Sequence, residues 1–173
     1  MSVAPSVKLF VAMLSPIDSD NDAVLQMMIE VFGSIDFIGA PHPFDVTDYY
    51  EDEMGPNLTR RILGFTGPHQ ADILVGTKLA CIELERALSM EGNRTVNLDI
   101  GYLDHNKIVL ASTKGAGQKI YLDSGIYADF VARYTHGSYK PFEWSFPDFK
   151  DGRYDREFAA LRKLLLEQEM LSV

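Results

Sequence analysis

A chain of 173 residues with net charge −9, 46% hydrophobic and 24% charged residues has the size and mix of one globular domain, not of a disordered or fibrous protein. Its acidity argues against non-specific binding to nucleic acid or anionic membranes, where the attraction runs through Lys and Arg. The one cysteine, Cys81, excludes an internal disulfide and suits a reducing compartment. No apolar run reaches the roughly 18 residues of a membrane span. The stretch Met1 to Lys8 has no basic region followed by an apolar segment and a cleavage site, so the expectation is an unsecreted, cytoplasmic protein.

Val7 to Leu14 is almost wholly apolar, as a strand buried on both faces is, and Ser15-Pro16 ends it. Ser19 is placed to cap a helix over 20–32 with the stripe Val24, Leu25, Met28, Ile29 and Phe32, and Gly33 stops it. Ile35 to Ile38 reads as a second strand. From Gly39 to Asn57 runs a long connection, and such connections in compact domains are often functional. Arg60 to Phe65 reads as a third strand. A helix is predicted over 70–90, with Leu74, Thr77, Cys81, Leu84 and Leu88 on one face. Gly76 inside it costs about 1 kcal/mol relative to Ala, and a close packing contact is the plain reason for it.

Arg94 to Asn97 is predicted as a short strand and Leu98 to Asn106 as irregular chain. Lys107 to Thr113 reads as a strand that turns at Gly115-Ala116-Gly117 and returns through Lys119 to Leu122. Ile126 to Tyr134 alternates, with Ile126, Ala128, Phe130, Ala132 and Tyr134 on one face. After a Pro- and aromatic-rich loop, Asp155 begins a terminal helix. The order predicts an α+β fold in a single domain over 1–173. Its core is a ferredoxin-like β-α-β-β-α-β unit, with an antiparallel strand extension and a C-terminal helix. A mainly parallel three-layer sheet is the second choice.

Three segments carry candidate chemistry. Phe44 to Gly55 holds Asp45, Asp48, Glu51, Asp52 and Glu53, five carboxylates in nine residues, beside Thr47, Tyr49 and Tyr50. Clustered oxygens suit Mg²⁺ or Ca²⁺ or a general base, and the plainer reading is a solvated acidic turn. Asn97-Leu98-Asp99-Ile100-Gly101-Tyr102 alternates polar and apolar residues, so Asn97 and Asp99 point to one side. The plainer reading there is a backbone-bonded turn. Ser112 to Lys119 combines Lys114, hydroxyls and glycines as a phosphate cradle does, but a simple hairpin turn explains it as well. Arg60 and Arg61 follow the acidic segment and either neutralise it or grip an anion. The four histidines lie far apart, and no nucleophile elbow or dinucleotide fingerprint is present.

The stretches Val7-Lys8-Leu9-Phe10-Val11, Phe44-Asp45-Val46-Thr47-Asp48-Tyr49-Tyr50-Glu51-Asp52-Glu53-Met54-Gly55, Val96-Asn97-Leu98-Asp99-Ile100-Gly101-Tyr102-Leu103 and Ile120-Tyr121-Leu122-Asp123-Ser124-Gly125-Ile126-Tyr127-Ala128 together resemble an uncharacterised bacterial family, domain of unknown function 4416, over nearly the whole chain. Where members commonly read N-L-D-P-G-Y, this chain has Ile100 in place of Pro. The resemblance implies relatives but no activity, cofactor or partner.

Two functional readings follow from the residues. In the first, the protein binds a small anionic ligand or nucleotide with a divalent cation, with or without catalysis. Asp45, Thr47, Asp48, Tyr49, Tyr50, Glu51, Arg60, Arg61, Asn97, Asp99, Tyr102 and Lys114 form the site, and Asp48, Glu51 and Asp99 hold the metal. This reading requires the segments to converge on one pocket. The alternative is a non-catalytic protein-interaction or regulatory module anchored by Tyr139, Phe142, Trp144, Phe146 and Phe149. RNA binding on the sheet is disfavoured by the acidic charge.

Overall fold

The computed structural model describes residues 4–171. In chain order the elements are β1 (Lys8–Pro16), α1 (Asp22–Phe32), β2 (Ile35–Ile38), β3 (His42–Pro43), α2 (Glu51–Met54), β4 (Leu58–Phe65), α3 (Leu74–Ala87), β5 (Asn97–Leu103), β6 (Lys107–Ser112), β7 (Ile120–Asp123), β8 (Ile126–Thr135), β9 (Ser138–Pro141), α4 (Pro147–Lys150) and α5 (Asp155–Leu171). The strands form one nine-stranded sheet in the order β2-β4-β1-β5-β6-β8-β7, with β3 on β4 and β9 on β8. Every strand pairing among the described residues is antiparallel, so the class is α+β and the parallel alternative is not formed. The sheet is far larger than the four strands of the core expected from the sequence.

Helices cover both faces. Leu9, Val11 and Met13 of β1 pack with Val24, Met28 and Phe32 of α1 and with Leu74, Cys81 and Leu84 of α3. On the opposite face Phe10, Ala12, Ile62 and Leu110 pack with Phe158, Leu161 and Leu165 of α5. This is why β1 is apolar at nearly every position. Each fully buried Leu or Phe there contributes roughly 1.5–3 kcal/mol. A smaller cluster of Leu14, Phe44, Met54 and Leu58 seats the acidic-aromatic segment on the end of the sheet.

Several local expectations are revised. Ser19 does not cap α1: its hydroxyl donates to the Pro16 carbonyl at 2.7 Å, and Asp20 accepts the Asp22 amide at 2.9 Å instead. The helix expected over 70–90 begins with a 3-10 turn, Ala71–Ile73, and α3 ends at Ala87. A Cβ on Gly76 would meet nothing within 4 Å, so no packing contact calls for that glycine. The stretch read as irregular is mostly β5, an interior strand. The hairpin expected around Gly115-Ala116-Gly117 does not form, because β6 and β7 flank β8 and do not pair with each other. In β8 a bulge pairs Ile108 with Ala132 but Val109 with Phe130. The bulge swaps faces, so Ile126 and Ala128 pack towards α1 and α3 while Val131 and Ala132 pack towards α5.

The sheet also forks. The register of β5 with β6 covers Gly101 to Leu103 against Leu110 to Ile108, while β5 begins at Asn97 and β6 runs on to Ser112. At the fork a Cβ on Gly101 would lie 2.4 Å from the Val109 carbonyl oxygen, so a glycine lets the two backbones approach.

Candidate functional site

The two strands part around a cleft of about 170 Å³. One wall is Asn97 and Asp99 of β5; the other is Leu110, Ala111 and Ser112 of β6 with Asp129 of β8. Lys78, Ile82 and Glu85 of α3 close it from one side. Tyr49, Tyr50, Arg94 and Phe146 border it, as do Thr113, Lys114 and Lys119 of the β6–β7 loop.

The fork leaves the Leu98 peptide groups without a strand neighbour on the β6 side, and buried backbone groups must be paired. Two charged side chains of α3 fill that role. The Leu98 N–H donates to Glu85 Oε1 at 2.5 Å, and Lys78 Nζ donates to the Leu98 carbonyl at 2.9 Å. Lys78 and Glu85 are therefore buried, each 7% exposed, in the middle of an otherwise apolar helix face. Burial pushes the Glu85 carboxyl above its ordinary pKa, against the opposing pull of the Leu98 amide, Lys78 and Arg94.

Asp99 is held from behind. Its Oδ2 accepts from Arg60 Nη2 at 3.1 Å and from Asn97 Nδ2 at 3.0 Å. Arg60 is buried with its other terminal nitrogen donating to Asp148 at 2.6 Å, and its guanidinium lies 4.6 Å from the Phe44 ring centre. Burial opposes the charge on Arg60, but the Asp99 and Asp148 carboxylates outweigh it and raise its pKa above the ordinary value. The Tyr154 hydroxyl completes this group, donating to Asp148 at 2.9 Å.

Arg94 ties the acidic segment to β5. It grips Glu53 with Nε at 2.8 Å and Nη2 at 2.7 Å, and its Nη1 donates to Asn97 Oδ1 at 2.8 Å. This bidentate pair holds the Glu53 carboxyl below its usual range. Tyr50 lies against it, with Arg94 5.7 Å from the ring centre. Burial and the nearby Asp99 charge push the Tyr50 phenol up to about 12.

The β6–β7 loop is pressed onto β8. A Cβ on Gly115 would fall 2.2 Å from Tyr127 Cζ, so only a glycine lets the loop cross that ring. Lys114 Nζ then sits 4.9 Å from the centre of the Tyr49 ring. Lys119 Nζ donates to Ser112 Oγ at 3.0 Å and lies 3.8 Å from Asp129, which also accepts from Gln118 at 2.7 Å.

Of the residues singled out from sequence, Tyr49, Tyr50, Asn97, Asp99 and Lys114 line this cleft together, and Arg60 braces it. The rest fall elsewhere. Asp45 pairs with Arg153 at 3.0 Å, and Thr47 accepts the Tyr49 amide at 3.1 Å in a turn. Asp48 and Glu51 are exposed and do not line the cleft with Asp99. Arg61 alternates to the face of β4 opposite Arg60, and Tyr102 is buried in the core against α1 and α3. Among the described residues no three His, Cys, Asp or Glu side chains gather as a metal ion would require.

The cleft also contains residues that the sequence reading did not place in the site. Lys78 and Glu85 had a legible signal: they fall seven apart on the stripe Leu74, Lys78, Cys81, Glu85, where charge in an apolar face marks a buried partner. Ser112, Thr113 and Lys119 lay in the segment read either as a phosphate cradle or as a plain hairpin turn. Arg94 and Asp129 carried no local signal, and Phe146 stood out only as an interface anchor; the fold brings all three here. Of the aromatics considered as interface anchors, Tyr139 and Phe149 are buried, while Trp144 is 43% and Phe146 51% exposed.

The architecture is thus an α+β domain with a polar cleft at a fork in an antiparallel sheet. The chain belongs to the family described as domain of unknown function DUF4416, whose profile matches residues 5–165. No curated protein and no solved structure matches it. Among the described residues no helix is long and apolar enough to cross a membrane.

Proposed function

We propose that the protein binds a small organic anion in the cleft between β5 and β6. One observation carries this reading: Lys78, Arg94, Lys114 and Lys119 converge there in a chain of net charge −9. The three carboxylates of the lining, Glu85, Asp99 and Asp129, already accept hydrogen bonds from the protein. Lys114 rests on an aromatic ring and forms no ion pair among the described residues. Its ammonium is the cation most available to a ligand. The cleft of about 170 Å³ suits a carboxylate or phosphate on a short carbon skeleton.

Two structural features support the wider reading. The strands β2-β4-β1-β5 stand side by side with α1 and α3 packed on one face, which supports a ferredoxin-like unit extended by the later strands. A single buried cysteine supports a reducing, cytoplasmic setting.

Titration calorimetry against inorganic phosphate, short mono- and dicarboxylates and nucleoside monophosphates tests the proposal. At least one anion is expected to bind, and Lys114→Ala and Lys119→Ala are each expected to weaken it. Failure of every anion to bind, or binding indifferent to both substitutions, overturns it. An arm with Mg²⁺ or Ca²⁺ tests whether a divalent cation tightens the complex. The exposed Trp144 and Phe146 favour a second reading, a non-catalytic interaction module anchored on those rings. Loss of a pulled-down partner on Trp144→Ala, with anion binding intact, supports it.

A further inference from the structure

We infer that the anion taken by the cleft also carries a neutral hydroxyl, which donates to Asp99. This rests on the anion-binding reading above and names the chemistry of the ligand's other end. The two walls of the cleft differ. The β6 side offers Thr113, Lys114 and Lys119, beside an Asp129 carboxylate that is 5% exposed, bonded by Gln118 and compensated by Lys119 at 3.8 Å. The β5 side offers an acceptor. Asp99 Oδ2 is occupied by Arg60 and Asn97, but Oδ1 accepts no hydrogen bond among the described residues, and its cation neighbour Lys78 stands 3.8 Å away. Oδ1 is not among the buried unpartnered atoms, and the Asp99 side chain is 26% exposed on the cleft. The protein therefore fixes this carboxylate firmly and leaves one oxygen facing the ligand.

The charge balance decides which donor fits. Arg60 at 3.1 Å and Lys78 at 3.8 Å already compensate the Asp99 charge. A ligand ammonium would gain little from a neutralised carboxylate and would be repelled by the Lys78 ammonium. A hydroxyl donates the same hydrogen bond without that repulsion, and hydrogen bonds to charged acceptors are the stronger kind. An apolar group would leave Oδ1 desolvated and unpaired once the cleft filled, which is the stronger penalty. A hydroxy acid or a polyol phosphate meets both walls. Neither a plain alkyl anion nor an amino acid does.

Matched probes test this. Calorimetry compares glycerol phosphate with n-propyl phosphate and aminopropyl phosphate, and glycerate with propionate, so the phosphate and carboxylate sources are read separately. The hydroxylated member of a series is expected to bind about tenfold more tightly than its deoxy partner, the usual scale of one hydrogen bond to a charged group. Asp99→Asn leaves Arg60 an oxygen to bond and is expected to remove that preference while the anion still binds. Lys114→Ala is expected to weaken both members of a pair alike. Equal affinity for the deoxy probe, a preference for the aminated probe, or a hydroxyl preference that survives Asp99→Asn overturns the inference and leaves the anion site standing. Absence of binding by every probe in both series overturns the anion reading itself, and this inference with it.

Discussion

Replacing Arg60 by Met removes a charge on which two carboxylates depend while keeping most of the side chain's apolar stem. The guanidinium makes hydrogen bonds of 2.6 Å to Asp148 and 3.1 Å to Asp99. Bonds to charged groups are worth roughly 1.5–3 kcal/mol each, so the gross loss is about 3–6 kcal/mol. Some is offset, because Arg60 no longer has to be buried. The two carboxylates fare differently. Asp99 keeps Asn97 and partial solvent, but Asp148 is 0% exposed and keeps only the Tyr154 hydroxyl. Breaking a buried ion pair from one side costs about 3–5 kcal/mol, and that is the expected loss for Arg60→Met. Adding Asp148→Asn removes the stranded charge and leaves Tyr154 an acceptor, so the double variant is expected to recover about 2 kcal/mol of it. Urea unfolding followed by far-UV circular dichroism and Trp144 fluorescence measures both. A loss below about 1 kcal/mol for Arg60→Met, or no recovery in the double variant, refutes the reasoning.

Two glycines, one in a strand and one in a helix, are expected to respond in opposite directions. Gly101→Ala drives a Cβ to 2.4 Å from the Val109 carbonyl and is expected to cost several kcal/mol or prevent folding. Gly76→Ala, with nothing within 4 Å on a helix, is expected to gain up to about 1 kcal/mol; thermal melts separate the two. The raised pKa of Glu85, caused first by burial, makes its contribution fullest at pH below the ordinary carboxylate value and loses it as pH rises through the folded value. The stability of the natural chain minus that of Glu85→Gln is therefore expected to fall as pH climbs from acid to neutral in parallel urea titrations, and a flat difference rules this out. Cys81 is buried on α3 with its thiol pushed up to about 12, so a disulfide reagent is expected to leave it unmodified until urea unfolds the chain.

What was legible in the sequence is local periodicity. The positions of β1, α1, β2, β4 and α5 follow from apolar stripes and stop signals. What was not legible depends on partners distant in sequence. β5 read as irregular because Asn97 and Asp99 put polar groups inside a strand, and nothing local says they face a cleft. The Gly115 turn read as a hairpin because the true partner of both flanking strands, β8, comes later in the chain. Part of the candidate site was found for a physical reason: Tyr49, Tyr50, Asn97 and Asp99 are costly choices for an ordinary strand or turn. The carboxylates beside them were misleading. Asp45 and Glu53 are spent on Arg153 and Arg94, which anchor the segment and do not offer oxygens to a ligand.

The cleft and the buried charges of α3 have a common origin. Had β6 stayed paired with β5 as far as Asn97, strand hydrogen bonds would have satisfied Leu98, and Lys78 and Glu85 would be buried charges without their hydrogen-bond partners, held only by Asp99 and Arg94 at 3.8 Å. Buried charges without hydrogen-bond partners are costly even beside a counter-charge. Had α3 carried leucines there, the forked sheet would instead expose unpaired Leu98 groups inside the core. Each arrangement is stable only with the other, so the fork is built in and not a loose edge. Restoring an ordinary helix face with Lys78→Leu and Glu85→Leu is therefore expected to destabilise the chain, although it adds apolar area. A gain in stability from that double substitution would mean that the fork owes nothing to α3.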